Sequence, residues 1–452
     1  MTSHRAPITE AEAFLDAYPD VSAIDIVLTD LNGIGRGKII RRHELLPLFK
    51  SGRGMPATLF AQDVSGHDVD DAIDCVTGGT GDSRCWPVAG TLGFMPATGR
   101  GQVLLQMEAE NGAPHPIDPR GALLRQVARA QAAGFTPMGA MELEFYLIDR
   151  DRDAHGRVQP ARAAMTGRRL SGTNCMSVDE LDEMAPFFDD VYAGAAAMDL
   201  PLETVISEYA VGQFELTLRY RDLISAADDI IRAKRLIRMT ARRYDMDACF
   251  MSKPFGESSG SGMHLHLSLA DENGANLFAD QGDDLSPLML SAIGGIRASM
   301  ADSMLVFAPV LNSWRRFARK VYSPATNTWA VEDRGVALRV PAGSPKSRHF
   351  EHRIGGVDAN PYLVAAVTLG AALDGIERGI GAGAEGPDGG VDYPTLPTSW
   401  DQAIDLFAAS NPMKSILGAD LHATYSAVKK GEWETLALWV TDAEWQLYGP
   451  NL

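Results

Sequence analysis

Cysteine is scarce in this chain of 452 residues. Its four cysteines, Cys75, Cys85, Cys175 and Cys249, have no CxxC spacing. That excludes a zinc ribbon and a disulfide framework, and it suits a reducing compartment. Long apolar runs are also missing. The longest stretch, Tyr362 to Leu373, falls short of the roughly 20 residues that a membrane span needs, and Asp374 follows it. The first twenty residues hold acids and a proline where a secretory leader needs an apolar core. Basic residues are in deficit as well, 41 Lys and Arg against 59 Asp and Glu, for a net charge of −18. Duplex nucleic acid is therefore an unsuitable partner, because its binders need a basic stripe to displace counterions. What remains is an expected cytoplasmic protein, with no nucleic acid and no membrane among its partners, acting on small or cationic molecules. Hydrophobic residues at 45% and charged residues at 22% are ordinary for a folded core, and the length allows two or three domains.

The first hundred residues read as short strands and turns. Ala23–Leu28 is a strand, Asp30-Leu31-Asn32-Gly33 a turn, and Lys38–Arg41 the returning arm of a hairpin. A breaker-rich zone around Asn111–Pro119 places a domain boundary near residue 112, giving domains 1–112 and 113–452. Beyond it, Asp118-Pro119 starts a helix reaching about Ala133. Met138–Ile148 is a strand, Asp179–Met198 a helix, 203–209 and 213–220 strands, Ala226–Tyr244 a helix and 263–269 a strand. Ser286–Phe307, Asn360–Ile380, Ser399–Ala409 and the stretch after Asp420 are helical, with a Gly- and Pro-rich loop from Gly381 to Pro397. Strand clusters between long helices indicate an α+β fold with an antiparallel sheet.

Four strand candidates carry apolar residues on one face and ionisable ones on the other. In Met141-Glu142-Leu143-Glu144-Phe145 the two glutamates share a face. Glu215 lies on a face with Gln213, Thr217 and Arg219, with Glu208 and Glu203 just upstream. His264, His266 and Ser268 share a third face, and His349, Glu351 and Arg353 a fourth. Solvated faces would tolerate the same residues one strand at a time. If the faces converge, they form a charged cavity that needs compensation, and carboxylates with an imidazole favour Mg²⁺ or Mn²⁺ over Zn²⁺. A basic cluster follows in Arg315, Arg316, Arg334, Arg339, Lys346 and Arg348. It is either a solvated face balanced by surface acids or a clamp for a transferring phosphoryl group. Gly33–Ile39 is the nearest string to a P-loop, and it lacks the first glycine and the hydroxyl residue after Lys38.

Taken in order, Glu142-Leu143-Glu144, Gly212-Gln213-Phe214-Glu215, Gly260–His266, Asn312–Arg316 and Asp358–Tyr362 resemble the glutamine synthetase family over essentially the whole chain. The resemblance implies an N-terminal β-grasp domain and a catalytic domain with a curved antiparallel sheet. It also implies a homo-dodecamer of two stacked hexameric rings with shared active sites. It further implies ATP as co-substrate and two Mg²⁺ or Mn²⁺ ions per site, one held by Glu144, Glu208 and Glu215, the other by Glu142, His264 and Glu351. Glu203, Tyr220, His266, Ser268 and Lys346 match nucleotide-binding positions. Gly260, Arg316 and Arg353 match positions that hold glutamate, and Arg334 and Arg339 match the arginines that serve phosphoryl transfer alongside Arg316.

The implied reaction joins the γ-carboxylate of glutamate to an amine through γ-glutamyl phosphate. Ammonia-using members carry an acid six residues after the position of Arg316 and an Asp in the N-terminal domain. Here the first position is Tyr322, and Gly54–Leu59 holds no acid, Asp63 being the nearest. The metal, nucleotide and phosphoryl positions are intact, so the wording is similar to the γ-glutamylpolyamine and γ-glutamylamide synthetases. The acceptor is then an organic amine, a polyamine or alkylamine, with Tyr322 at its site. A neutral aromatic amine, or ammonia in a plain glutamine synthetase, is the alternative. Two other classes share parts of the pattern: a non-catalytic relative, which would show eroded ligands, and a guanidine-type kinase, which the Gly260–His266 run weighs against. Regulation by adenylylation is not expected, the nearest candidate being Tyr393 before Pro394.

Overall fold

The computed structural model describes residues 5–76, 81–280, 284–317 and 323–452. Two sheets organise it. The first contains β1 (Ala23–Thr29), β2 (Gly35–Arg41), β3 (Arg53–Pro56), β4 (Asp82–Pro87), β5 (Gly93–Met95) and β6 (Arg100–Glu108). Its order is β2-β1-β6-β4-β3 with β5 on β6, and β1 runs parallel to β6 while the other pairs are antiparallel. The expected β1–β2 hairpin forms, its return strand starting at Gly35 ahead of Lys38, around the Asp30–Gly33 turn, in which Asp30 Oδ1 accepts from the N–H groups of Asn32 and Ile34. Gly33–Lys38 lies in this hairpin, as a turn and strand. The region also holds helices at Ile8–Ala17 and Leu45–Ser51, so the reading of strands and turns alone is corrected.

The second sheet contains β7 (Thr136–Asp149), β8 (Leu202–Ser207), β9 (Gln213–Leu218), β10 (Arg221–Asp222), β11 (Met246–Cys249), β12 (Leu265–Ala270), β13 (Trp329–Val331), β14 (Leu338–Val340) and β15 (Phe350–His352). It runs β13-β14-β15-β12-β7-β9-β8, with β10 and β11 also on β7. Every pair is antiparallel except β13–β14. One face is apolar: Met141, Leu143, Phe145, Phe214, Leu216, Leu265 and Leu267 are all buried to 1% exposure or less. Burying that much apolar side chain is what fixes the sheet's orientation.

Helices cover the apolar side. Pro119–Ala132 begins where predicted, with the Asp118 carboxylate accepting from the Arg120 N–H at 2.8 Å. Pro287–Phe307 and Pro361–Arg378 pack so closely that a Cβ on Gly295 would strike Ala371 O and Gly375. The first of these two is long and apolar enough to cross a membrane by length and composition, and 78% of its most apolar window is buried in the fold. The expected helix Asp179–Met198 is two helices, Val178–Glu183 and Ala185–Ala197, broken at Met184. Pro186 explains the break, since it suits a helix's first turn but not its interior. A 3-10 turn, Pro387–Asp392, lies within the Gly- and Pro-rich loop. The two sheets are tied together at Asn360, whose side chain accepts from the Tyr362 N–H and donates to Asp30 O at 2.9 Å.

Candidate active site

The polar face of the second sheet is assembled by strand register. On β7 the expected alternation is present, with Glu142 and Glu144 on the open face and their apolar neighbours buried. Glu144 stands directly opposite Glu215 on β9. Across the other side, His266 pairs with Glu351, and Glu351 with Arg339. Like charges placed opposite each other repel, so Glu144 and Glu215 adjoin only because the buried face dictates the register.

The Gly260-Ser261-Gly262 segment leads into this row. The Gly262 N–H donates to Glu144 Oε2 at 2.8 Å, and Glu142 N–H donates to His264 O at 3.1 Å. A Cβ on Gly262 would lie 2.6 Å from His264 Nε2 and 2.8 Å from Arg316 Nη2, and one on Gly260 would lie 2.6 Å from Arg316 Cγ. Absence of side chains at both positions is what lets Arg316 and His264 close on the strand. Gly212 (φ +71°) turns the chain from Glu208 into β9, and the buried Gln213 donates to Gly260 O at 3.0 Å and Ser261 Oγ at 3.2 Å.

His264 is the centre of the cluster. Its Nδ1 lies 2.9 Å from Glu142 Oε2 and 3.4 Å from Glu351 Oε1, and its Nε2 lies 3.8 Å from Glu144 Oε1. His266 Nε2 is 3.0 Å from Glu142 Oε1, and its Nδ1 is 3.0 Å from His349 Nε2. Ligand atoms of Glu142, His266 and Glu351 all fall within 4.8 Å of one another. That convergence runs through His266, which the sequence reading gives to the nucleotide, while His264 touches the same two carboxylates.

Charge is distributed unevenly over the cluster. Burial pushes the Glu142 carboxyl up, but hydrogen bonds from the two imidazoles outweigh it and hold Glu142 well below the usual range. Glu351 is likewise raised by burial but held low overall, chiefly by His264 and Arg353. Glu215 has no such partner among the described residues. Burial, then the charges of Glu142, Glu144, Glu208 and Glu351, push it up to about 10, and burial with Glu144 pushes Glu208 up to about 7. Five carboxylates that cannot all ionise beside two imidazoles make an oxygen-rich donor set, and it fits hard divalent cations such as Mg²⁺ or Mn²⁺.

The cations of the site come from three segments. Arg316 is buried; its guanidinium donates to Ile354 O at 2.7 Å and Arg353 O at 3.2 Å. Arg353 pairs with Glu351, and Arg339 donates to the same carboxylate at 3.1 Å. Arg334 is exposed on the turn from β13 to β14, near enough to stabilise the ionised form of Glu208. Tyr322 lies outside the described residues. Asp63 serves its own loop, accepting from the N–H groups of Ser65 and His67.

Beside the cluster is a cavity of about 940 Å³ whose lining includes Glu142, Tyr220, His266, Ser268 and Lys346. Glu203, exposed on β8, is not among its lining residues. Sequence reasoning left out two contributors to this wall. Met138 and Ala140 continue the Glu142 face by the same period of two. The turn Asp271–Asn276 closes one side, its Asn276 side chain donating to Lys346 O and Arg348 O. The Asn273-Gly274 pair after a His-bearing strand is the signal that could have found this turn.

Comparisons with known proteins agree with this geometry. A family model for the glutamine synthetase catalytic domain matches residues 116–448. Gamma-glutamylputrescine synthetase PuuA of Escherichia coli (strain K12) is 37% identical over 446 residues, covering 97% of this chain and 94% of that protein. Glutamate–isopropylamine ligase of a Pseudomonas species is 27% identical, with 95% of each chain covered. The solved structure of a GmaS/ADP complex superposes with a TM-score of 0.83 at 26% identity, covering 97% of this chain and 99% of that one.

Proposed function

The chain belongs to the glutamine synthetase family, and from that premise we propose that it is an ATP-dependent ligase joining the γ-carboxylate of glutamate to a polyamine or alkylamine. The observation that carries this reading is a cluster of five carboxylates and two imidazoles beside a 940 Å³ cavity, with Glu142 and His266 common to both. A putrescine ligase and an isopropylamine ligase among the relatives support an organic acceptor, as does Tyr322, where an ammonia-using site would carry an acid.

In this reading Glu144, Glu208 and Glu215 hold one divalent ion, and Glu142, His264 and Glu351 a second. Once bound, the ions neutralise nucleotide phosphates and supply charge stabilisation. The chain's own groups do the rest. Tyr220, with Ser268 and Lys346, binds the nucleotide in the cavity, His266 faces its phosphates, and Glu203 approaches it from the rim. Gly260, Arg316 and Arg353 orient glutamate, the first by leaving room and the other two by charge. Arg334 and Arg339, with Arg316, meet the negative charge that develops as the γ-carboxylate attacks the terminal phosphate. That attack releases ADP and leaves γ-glutamyl phosphate; the amine then attacks its acyl carbon and displaces inorganic phosphate, giving the amide, and a sheltered site protects the acyl phosphate from water. By its place in the sequence, Tyr322 is assigned to the acceptor.

The same reading assigns 1–112 and 113–452 as two domains, a cytoplasmic setting, and a homo-dodecamer of two stacked hexameric rings. Support for assembly comes from the C-terminal stretch, where Leu438, Trp439, Val440, Trp445 and Leu447 are each more than 60% exposed. Light scattering tests the assembly. Phosphate release with glutamate, ATP, Mg²⁺ and a panel of amines tests the activity, the expected result being turnover with diamines or alkylamines. Ammonia performing as well as the best organic amine would overturn the acceptor assignment.

A further inference from the structure

β13 ends at Val331, and the next residue, Glu332, takes φ +56°. Left-handed backbone disfavours residues with a Cβ, and Asn and Asp are its usual non-glycine occupants. Of the four described non-glycine residues in that region, Met176, Asp199, Asp245 and Glu332, only Glu332 bonds to one of the site's arginines. Local strain of this kind persists where surrounding contacts enforce it, and it collects at functional positions.

The backbone N–H of Glu332 donates to Val340 O at 3.1 Å, and two bonds hold its side chain, both to one oxygen. Oε1 accepts from Arg339 Nη2 at 3.1 Å and from the Ala342 N–H. The other nitrogen of Arg339 donates to Glu351 Oε2 at 3.1 Å. Glu332 therefore stands one guanidinium away from the buried carboxylates. Its side chain is 47% exposed where that of Glu351 is 1%. Oε2 makes no hydrogen bond to any described residue. Arg339 and Arg334 both favour the ionised form of Glu332, and Glu385, which accepts from the Val331 N–H at 2.9 Å, is a second acid beside it.

We propose that Glu332 is a specificity-determining residue whose Oε2 binds the non-reacting ammonium group of an acceptor with two cationic ends. This rests on the reading of the chain as a glutamate–amine ligase. A dication approaching Arg334 and Arg339 meets repulsion, and Glu332 offers the anionic oxygen that offsets it. Because Arg339 is bound through Oε1, an ammonium at Oε2 leaves the Arg339–Glu351 contact in place. An alkyl monoamine or a neutral aromatic amine has no second cation to place there and gains nothing from it.

The test is steady-state kinetics of the full chain with Mg²⁺, ATP and glutamate. Three acceptors are compared: a straight-chain diamine, the monoamine of equal carbon count, and aniline. In Glu332→Gln the shape stays and the charge goes. The diamine KM should rise about tenfold, the effect of one charge-assisted bond, with kcat within about twofold and the other KM values unchanged. A uniform fall in kcat for all three amines would make Glu332 a positioning residue for Arg339 and overturn the proposal, and so would an unchanged diamine KM. Glu332→Gly guards against misfolding: glycine accepts φ +56° without strain, so Tm should not fall while the diamine preference disappears. A glycine variant that keeps the preference refutes the assignment. A wild-type chain turning over ammonia alone sinks the ligase reading and this one with it. A wild-type chain using amines, with the variant unaltered, sinks only this one.

Discussion

Binding of divalent metal to this protein should release protons. Glu215 is raised to about 10 and Glu208 to about 7, yet as ligands both must be ionised. At pH 7 the metal-free protein carries a full proton on Glu215 and about half of one on Glu208, so loading the site expels about 1.5 protons. The count should approach two near pH 6 and one near pH 8.5 as Glu208 ionises. His266, held above its usual range by Glu142 against the opposing effect of burial, can only add to it. The assay is calorimetric titration with Mg²⁺ or Mn²⁺ in buffers of differing ionisation enthalpy, where the slope of observed heat against buffer enthalpy reads the protons released. The same shifts fix a stability trend. An acid whose folded pKa is raised gives stability that is full below its unfolded value near 4.5 and drains away as pH rises towards the folded value. The metal-free chain should therefore lose stability progressively above about pH 4.5, through pH 7 and on towards 10, and added metal should restore it. A slope of zero at pH 7 would mean that the carboxylates ionise freely and do not share one site.

Three further outcomes follow from the same geometry. Glu215→Gln removes a repelled acid, so the metal-free Tm at pH 8 should rise while metal affinity and turnover fall by more than about tenfold, read by thermal melts and calorimetry. Gly262→Ala places a Cβ 2.6 Å from His264 Nε2 and 2.8 Å from Arg316 Nη2; kcat/KM for glutamate should drop by at least about a hundredfold, with nucleotide binding in the 940 Å³ cavity retained by equilibrium binding. Arg120→Ala removes the charge partner of the buried Asp228, which Arg120 grips with two bonds of 2.9 Å, and leaves it the Tyr362 hydroxyl at 2.6 Å; denaturant unfolding should show a loss of about 3–5 kcal/mol.

How much of the site is legible in the sequence depends on which distance is asked about. Period-two alternation is a local property, and it was enough to put Glu142 with Glu144, and His264 with His266, on open faces whose reverse sides are buried. Helix starts with a side-chain cap, at Asp118 and Asn360, were legible for the same reason. The helix Ile8–Ala17 has no capping hydrogen bond from Pro7 and so carries no such signal. The apolar stripe from Leu181 to Val191 continued in phase across Met184, concealing a break that Pro186 imposes. What local pattern cannot supply is register between distant strands. His264 and His266 are two residues apart on one face, and nothing in their own strand distinguishes a ligand of Glu351 from a wall of the adjoining cavity. His264 and His266 both reach the Glu142 carboxylate, but of the two only His266, paired with Glu351, also lines the cavity, and that placement is set from outside the segment, by the apolar face of β15 and by the side-chain-free approach at Gly262. Both imidazoles bond to Glu142, so the carboxylate on β7 is the group that couples the metal cluster to the cavity. A substitution at Glu142 should for that reason impair metal and nucleotide binding together, whereas one at Glu215 should impair metal binding alone.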